Sequence, residues 1–329
     1  MALITKYGGF WGFLPLTTGR YFWVAPSDSY VVEGETFSAT DNNDGLSPER
    51  AVRTVNRAIA LATATVGDVI VLLPGAHSVS ATIAVNKEGL SITGIPGGRP
   101  AFGIKGPQGG SRQRTTVTST ETAGIIFTVS VARVEISNLE LRPPAAGGRG
   151  ISVTAAGDSL FVHDVSVVMQ ATASTTTFGI TFPAGVTADV TADTLIRNCY
   201  FLSGAPGASG ANGPAVNVLT TAHGLTVEQS TFELQGTAAW ADAILSSTPG
   251  TLGLKIRDCD FYTPTLTTTV MTDVIDITGM TVDGSLQCYR CYFPEGSDAF
   301  QVTATPDGIC AECFTAFSTA ASNVPLGVA

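Results

Sequence analysis

The sequence is poor in charged residues, and basic residues are the scarcer kind. Only 13% of its 329 residues are charged, and 17 Lys and Arg stand against 27 Asp and Glu, for a net charge of −10. A general nucleic-acid binder needs a basic face, and a disordered chain needs fewer apolar residues than the 44% found here. The composition therefore predicts a folded protein without a nucleic-acid partner.

Long apolar runs are also missing. No run approaches the roughly 18 residues that a membrane-spanning helix needs, so we expect no membrane partner. A cleaved secretion signal is a poor fit, because Lys6 is the only early cation and Gly8, Gly9, Gly12 and Pro15 interrupt the apolar stretch. We expect a protein that is made and kept in a cytoplasm, or released from it by lysis.

Helix signals are confined to one region, whereas 36 glycines with many Thr, Ser and Val favour short strands and turns. Ser47 is a good N-cap and Pro48 suits the first turn, which predicts one amphipathic helix over about 48–63. Its apolar face comprises Val52, Val55, Ile59 and Ala62. The run "VIVLLP" from Val69 predicts a short buried strand after it.

An eight-residue segment then recurs seven times. The copies are "VEISNLEL" from Val134, "LFVHDVSV" from Leu160, "TLIRNCYF" from Thr194, "LTVEQSTF" from Leu225, "LKIRDCDF" from Leu254, "LQCYRCYF" from Leu286 and "GICAECFT" from Gly308. The first, third, sixth and eighth positions are small or apolar, and "LSITGI" from Leu90 is a degenerate earlier copy. The fifth position is polar: Asn138, Asp164, Asn198, Gln229, Asp258, Arg290 and Glu312.

This pattern describes two short strands that meet at a polar corner, and a recurrence of 22 to 34 residues indicates a solenoid. Asn and Asp at such a corner can adopt the left-handed backbone conformation. Leucine-rich repeats are excluded because their L-x-x-L-x-L pattern is missing. We therefore predict an all-β fold, a single-stranded right-handed parallel β-helix with one N-terminal capping α-helix.

The predicted organisation has four parts. Residues 1–40 form an N-terminal arm and lead-in segment, and residues 41–75 form the capping helix and first strand. The coils of the β-helix occupy 76–317, with loop insertions at 97–114 and 203–215, and the C-terminal tail is 318–329.

Residues 41–75 carry a resemblance to a known family. The residues concerned are Asp44-Gly45, Ser47-Pro48, Ala51, Thr54, Ala58, Gly67-Asp68, Ile70 and Pro74-Gly75. They resemble the N-terminal capping segment of pectate-lyase-like β-helix proteins, and the resemblance covers about 41–317. It implies the fold but not the activity, because that superfamily includes lyases, hydrolases, adhesins and virion spikes.

Catalytic signatures of the resembled enzymes are missing, so we assign no catalytic residue, no metal and no cofactor. The Asn-Thr-Asp, Gly-His-Gly and Arg-Ile-Lys motifs of polygalacturonases are absent, as is the Arg-x-Pro-x-x-Arg motif of pectate lyases. His163 is expected to face solvent. Asp273 and Asp276 are expected near Asp258 and Asp260, where a carboxylate pair could hydrolyse a glycosidic bond. Polysaccharide lyase or glycoside hydrolase activity thus stays an alternative.

The six cysteines allow three interpretations. Cys288-x-x-Cys291 and Cys310-x-x-Cys313 have the spacing of a zinc ribbon. In the repeat, however, cysteines fall at the third and sixth positions, which favours a ladder of reduced thiols in the core: Cys199, Cys259, Cys288, Cys291, Cys310 and Cys313. A disulfide between adjacent coils is the third alternative.

The insertion at 97–114 concentrates positive charge in a protein that has little of it. Arg99, Lys105, Arg112 and Arg114 form a candidate anion-binding loop that would hold an acidic protein or an anionic glycan, and a solvated flexible loop is the alternative.

The start of the chain, "GGFWGFLPL" from Gly8, sets aromatic rings among glycines. Glycine cannot fix such rings, so Tyr7, Phe10, Trp11 and Phe13 are predicted to pack either on this chain or on a partner.

An apolar arm on a β-helix without catalytic signatures resembles bacteriophage virion proteins. We therefore expect a capsid decoration (cement) protein, a homotrimer located in the virion and assembled in the host cytoplasm. Its partner would be the major capsid protein or another virion protein. The alternative is a tailspike or fibre that binds a host-surface glycan.

Overall fold

The structure is a computed structural model. It describes the following residues: 17–32, 34–95, 115–144, 147–154, 157–169, 176–184, 192–203, 213–220, 223–234, 242–246, 253–262, 273–277, 286–294, 298–301 and 308–315.

The chain folds into a parallel β-helix with three sheets, which confirms the predicted fold class. Sheet 1 contains ten strands: Tyr21–Val24, Val69–Leu72, Ser91–Gly94, Glu135–Ser137, Phe161–His163, Leu195–Arg197, Thr226–Glu228, Leu254–Arg257, Leu286–Tyr289 and Gly308–Ala311. Sheet 2 contains nine strands: Gly75–Val79, Thr115–Ser119, Glu140–Arg142, Ser166–Met169, Tyr200–Ser203, Thr231–Leu234, Asp260–Tyr262, Tyr292–Phe293 and Phe314–Thr315. Sheet 3 contains eight strands: Ile83–Val85, Ile125–Val129, Arg149–Val153, Phe178–Phe182, Val216–Val218, Asp242–Ser246, Asp273–Asp276 and Asp298–Gln301.

The repeated eight-residue segment is the part of each coil that crosses from sheet 1 to sheet 2. Its fifth residue has a positive φ, between 50° and 56°, in all seven copies. The predicted left-handed corner is therefore present even where the residue is Gln229, Arg290 or Glu312, types that do not favour this conformation. The sharp bend lets two three-residue strands lie on different sheets.

The helical region is shorter than predicted. The structure has a 3₁₀ turn at Pro48–Arg50 and an α-helix only at Val55–Leu61, which Thr54 caps by accepting a hydrogen bond from the Arg57 N–H at 3.2 Å. The residues between them are extended because Val52 pairs with Val24 at the edge of sheet 1. This pairing covers backbone groups at the end of the solenoid. A longer helix would leave the same groups unpaired.

The first strand of sheet 1, Tyr21–Val24, precedes the helix and pairs in parallel with Val69–Leu72. An antiparallel hairpin of Ser29–Val32 and Glu35–Ser38 follows it. The buried Tyr30 hydroxyl fixes the hairpin to the cap, since it donates to the Pro48 carbonyl at 2.6 Å and accepts from the Ala51 N–H at 3.1 Å. The solenoid therefore begins near residue 21, well before the repeat becomes visible in the sequence.

The core consists of rows of equivalent residues from successive coils. The third position of the repeat contributes a fully buried row on sheet 1: Ile136, Val162, Ile196, Val227, Ile256 and Cys288, with Ile70 and Ile92 before it. On sheet 2 the rings of Phe201, Phe232, Phe261 and Phe293 stack in series with centroids 4.9, 4.8 and 5.3 Å apart. Stacked rings add about 0.5–1.5 kcal/mol per pair to their burial.

Within the described residues, none of the helices reaches the length and apolar character that crossing a membrane requires.

Candidate functional site

Polar side chains line the corner between sheet 1 and sheet 2, and several of them pair across neighbouring coils. The Asn138 amide donates to the Thr93 hydroxyl at 3.1 Å, and the Asn198 amide donates to Asp164 on the preceding coil. Further along, Arg197 donates through Nε to Gln229 at 3.0 Å. These contacts tie several neighbouring coils together, in register with the apolar rows inside.

His163 occupies the centre of this row, between two carboxylates. Its Nδ1 lies 2.8 Å from Asp164 Oδ2, its Nε2 lies 2.9 Å from Glu135 Oε1, and its ring stacks on Phe161 at 4.3 Å. Burial alone would lower the pKa of His163, but the hydrogen bonds to Asp164 and Glu135 and their charges outweigh it and raise the pKa to about 9. The same bonds lower the pKa values of Glu135 and Asp164.

This cluster is therefore an ion-paired connection between coils. A histidine with a pKa near 9 is fully charged at neutral pH, so His163 has no free nitrogen with which to accept a proton as a general base. Side-chain exposure of only 20% at His163 shows that the ring lies against the surface, which differs from the solvated position expected for it.

A second ion pair neutralises the corner near the C-terminal end. Arg290 contacts Asp258 through both ends of its guanidinium, with Nε–Oδ1 at 2.6 Å and Nη2–Oδ2 at 2.8 Å. The hydrogen bonds from Arg290 hold the pKa of Asp258 below its usual range. Asp258 is thus held as a paired anion rather than as a proton donor.

The expected meeting of Asp273 and Asp276 with Asp258 and Asp260 is wrong. The strand Asp273–Asp276 belongs to sheet 3, where Asp273 is the Cα partner of Asp242. Asp260 is in sheet 2 beside Thr231, and Asp258 is at the corner before it. The prediction failed because each coil has a third strand, which directs residues 273–276 to another face.

Exposed aromatic side chains gather on the outer face of sheet 2. Tyr262, Tyr292 and Phe314, here called the aromatic patch, have exposed fractions of 37%, 38% and 65%. Tyr292 is the Cα partner of both Phe314 and Asp260, so an exposed carboxylate lies beside the rings. Aromatic rings next to polar acceptors form a typical surface for a partner with both apolar and hydroxyl groups.

The sixth position of the repeat has a recurrent hydrogen-bonding role. Where it is Cys or Ser, the side chain donates to the carbonyl two residues before it, at 2.9–3.5 Å, for Cys199, Ser230, Cys259, Cys291 and Cys313. In all five cases the same carbonyl also accepts the N–H of the corner residue on the preceding coil. Both lone pairs of a carbonyl at the bend are thus used.

Among the described thiols, Cys259 interacts with Cys291 on the next coil, and Cys291 belongs to a group of three. Cys199 and Cys259 are fully buried, and burial raises the pKa of Cys199 to about 12. Cys288, Cys291 and Cys313 lie together, with their three Sγ atoms within 4.8 Å of one another and Cys288 Sγ 3.7 Å from Cys313 Sγ. The five described cysteines do not form disulfides, and Cys310 is the Cα partner of Cys288.

Two groups of predicted site residues lie outside the described part of the chain. They are the arm residues Tyr7, Phe10, Trp11 and Phe13 and the basic-loop residues Arg99, Lys105, Arg112 and Arg114.

Seven of the coils also have a second left-handed corner, and the repeat pattern did not predict this corner. The residue directly before seven of the sheet 1 segments, among the residues that the structure describes, has a positive φ of 52–74°: Gly67, Gly89, Arg133, Ser159, Asp193, Gly224 and Gly253. The signal was available, since six of these seven are Gly, Ser or Asp, types that often precede or occupy turns. It marks where the chain leaves sheet 3 for sheet 1.

Comparison with known proteins yields a likeness of fold only. No known protein family matches the chain, and no curated protein matches its sequence. Among solved structures, pectin methylesterase from Aspergillus niger aligns with 11% identity and a TM-score of 0.51, covering 92% of this chain and 86% of that one. A rhamnogalacturonan lyase aligns with 10% identity and a TM-score of 0.47, covering 84% and 70%. ORF18 of Geobacillus virus E2 aligns with 12% identity and a TM-score of 0.35, covering 79% and 55%.

Proposed function

We propose that this chain is a structural protein of a bacteriophage virion that decorates the head shell and docks on it through the arm residues Tyr7, Phe10, Trp11 and Phe13. The observation that carries the proposal is the position of the strand Tyr21–Val24 as the outermost strand of sheet 1. The arm therefore joins the β-helix at its N-terminal end, directly before the capped edge. An apolar arm at one end of a rigid solenoid suits a protein that stands on a surface.

Hydrogen bonds hold the residues that follow the arm against the start of the solenoid, which further supports attachment through the arm. The Thr17 hydroxyl donates to the Gly67 carbonyl, and Asp68 accepts the Arg20 N–H at 2.7 Å and the Thr63 N–H at 2.7 Å. Asp68 is almost fully buried, so these charge-assisted bonds are shielded from water. Force applied through the arm would reach sheet 1 and the cap together.

The paired outer acids favour a structural role over catalysis. Glu135, Asp164 and Asp258 each contact a cation, and the ionised forms of all three are stabilised. A glycosidase needs one carboxyl group held protonated near neutral pH beside a second that is ionised. These three groups do not offer that combination, although burial raises the pKa of Asp260, two residues from Asp258.

Binding to emptied phage heads tests the decoration role. The variant Phe10→Ala/Trp11→Ala/Phe13→Ala loses three large rings, and burial of each such ring on a partner is worth about 1.5–3 kcal/mol, so affinity should fall by at least about 100-fold. The matched control is Phe314→Ala, which removes an exposed ring far along the chain and should bind normally. Co-sedimentation with heads gives the readout, and undiminished binding of the triple variant would refute the role of the arm.

The homotrimer is part of the same proposal. A chain of 33.9 kDa would then have a solution mass of about 102 kDa, three times the chain mass, by light scattering. A mass of one chain would contradict it without affecting the arm assay.

The aromatic patch supports a second candidate, a tailspike or fibre that binds a host polysaccharide along sheet 2. Sugar rings pack their C–H faces on aromatic side chains, and Asp260 beside Tyr292 offers an acceptor for their hydroxyls. Tyr262→Ala and Tyr292→Ala should each weaken binding of host capsule or lipopolysaccharide several-fold, whereas Phe161→Ala on sheet 1 should not. Unchanged binding in both patch variants would exclude this surface.

Enzyme activity on the same polysaccharides is checked in parallel. Incubation with capsule or lipopolysaccharide should release no new reducing or unsaturated ends, and product formation above background would favour a lyase or hydrolase.

A further inference from the structure

We propose that Cys288, Cys291 and Cys313 form a thiolate site for a soft divalent metal ion, Zn²⁺ in the cell, at the C-terminal end of the core. The inference does not depend on the virion role. The three Sγ atoms lie within 4.8 Å of one another and are the one such group of possible metal ligands among the described residues.

The distances suit a tetrahedral zinc centre. Zinc–thiolate bonds of about 2.3 Å place two sulfurs on a tetrahedron edge about 3.8 Å apart. Cys288 Sγ and Cys313 Sγ are separated by 3.7 Å, and the third sulfur falls within a slightly larger distance that small side-chain rotations would close. A disulfide would need about 2.05 Å between the sulfurs, a larger rearrangement.

The fold explains why these three residues converge. Cys291 and Cys313 occupy the same sixth position on adjacent coils, and the strands that follow them pair, with Tyr292 the Cα partner of Phe314. Cys288 comes from the third position on sheet 1 and faces the same interior. In the coils before it, the third position is Ile or Val, so thiols from both rows meet only here.

The surroundings meet two further requirements of a structural site. Cys288 and Cys291 are fully buried, whereas Cys313 is partly exposed, which gives an ion a path from the surface. In the register of sheet 1 the Cα partner of Cys288 is Cys310, so the adjacent strand contains a fourth cysteine. Binding converts three thiols to thiolates, so one Zn²⁺ enters as three protons leave.

Metal content of the full chain tests the site. Protein purified without chelator from zinc-supplemented cells should contain about one zinc per chain by mass spectrometry. Cys288→Ser and Cys313→Ser should each reduce zinc to below about one fifth of that amount, because a structural zinc site needs its full set of ligands. The matched control is Cys199→Ser, which alters the same kind of sixth position away from the cluster and should retain the metal.

Folding is monitored separately by circular dichroism, since a core variant can fail for other reasons. If Cys288→Ser does not fold, titration of the wild-type chain with Cd²⁺ decides the matter: thiolate-to-cadmium absorption should saturate at one equivalent. A folded wild-type chain with six free thiols that takes up neither Zn²⁺ nor Cd²⁺ would overturn the proposal. A Cys288–Cys313 disulfide in non-reducing peptide maps would do the same.

Discussion

His163 should titrate far above an ordinary histidine, and this is the sharpest quantitative consequence of the outer polar row. Its pKa of about 9 results from hydrogen bonds to Asp164 and Glu135 that outweigh its burial. The pKa of a histidine in the unfolded chain is about 6.5, so the shift corresponds to about 3 kcal/mol of stability before solvent screening is considered. Solvent screening of the partly exposed carboxylates reduces this to about 1–2 kcal/mol.

The sign of the pH dependence follows from the raised pKa. The charged imidazole binds its proton more tightly when folded, so the stabilisation is complete below pH ~6.5 and is lost as pH rises through ~9. Urea unfolding should therefore show His163→Gln to be less stable than wild type by about 1–2 kcal/mol at pH 6. The two proteins should converge near pH 10.

A nuclear magnetic resonance titration measures the pKa directly. The chain has three histidines, and comparison with His163→Gln assigns the signal. His77 serves as an internal contrast, because burial lowers its pKa to about 4. Glu135→Gln should shift the His163 midpoint downward, whereas Asp44→Asn, which breaks an ion pair at the cap, should not. A wild-type His163 midpoint at or below 6.5 would show that the two carboxylates do not hold the ring.

Three further changes test the solenoid itself. Phe232→Ala removes a ring from the middle of the stack and should lower the free energy of unfolding in urea by about 3–5 kcal/mol. Phe161→Ala on the outer face should lower it less, and similar losses for the two variants would argue against the stack. Asp68→Ala leaves two backbone N–H groups without their charged acceptor and should lower the free energy of unfolding by about 2–4 kcal/mol. A loss below about 0.5 kcal/mol would contradict these hydrogen bonds. Gln229→Gly relieves a positive φ of 51° and should be neutral or stabilising by up to about 1 kcal/mol, whereas Gln229→Val should lower the melting temperature; the reverse order would refute a left-handed corner there.

The sequence predicted the parts of the fold in which one coil repeats the next residue by residue. The corner from sheet 1 to sheet 2 has fixed length, so inward residues such as Ile136 and Val162 recur at fixed spacing, and polar residues recur between them. Sheet 3 was missed because loops of varying length separate it from the other two sheets. Strands such as Phe178–Phe182 and Asp242–Ser246 therefore share no fixed offset from the repeat.

The helix and the candidate site show a different limit. Val52 fits a helical face by spacing, but its pairing with Val24 is a contact between distant parts of the chain that periodicity does not encode. The same applies to His163: alternation correctly directs it outward, yet its charge state depends on Glu135 from the preceding coil. Side-chain pairs between coils become predictable only after the register of the solenoid is known.

The cysteine pattern also depends on the backbone. One backbone constraint accounts for the thiols of the sixth row, which belong both to the core ladder and to the cluster of three. A left-handed corner leaves a carbonyl lone pair facing the interior, and a small donor at the next position, Cys or Ser, satisfies it. The thiols of the sixth row therefore have a hydrogen-bonding role, whether or not a metal is bound. What distinguishes the last coils is Cys288, which replaces the Ile or Val of the third row and brings a thiol to face that row. If packing alone determined this position, Cys288→Val would stabilise the protein by restoring the apolar row; if it holds a metal, the same change should abolish zinc binding and lower the melting temperature by several degrees.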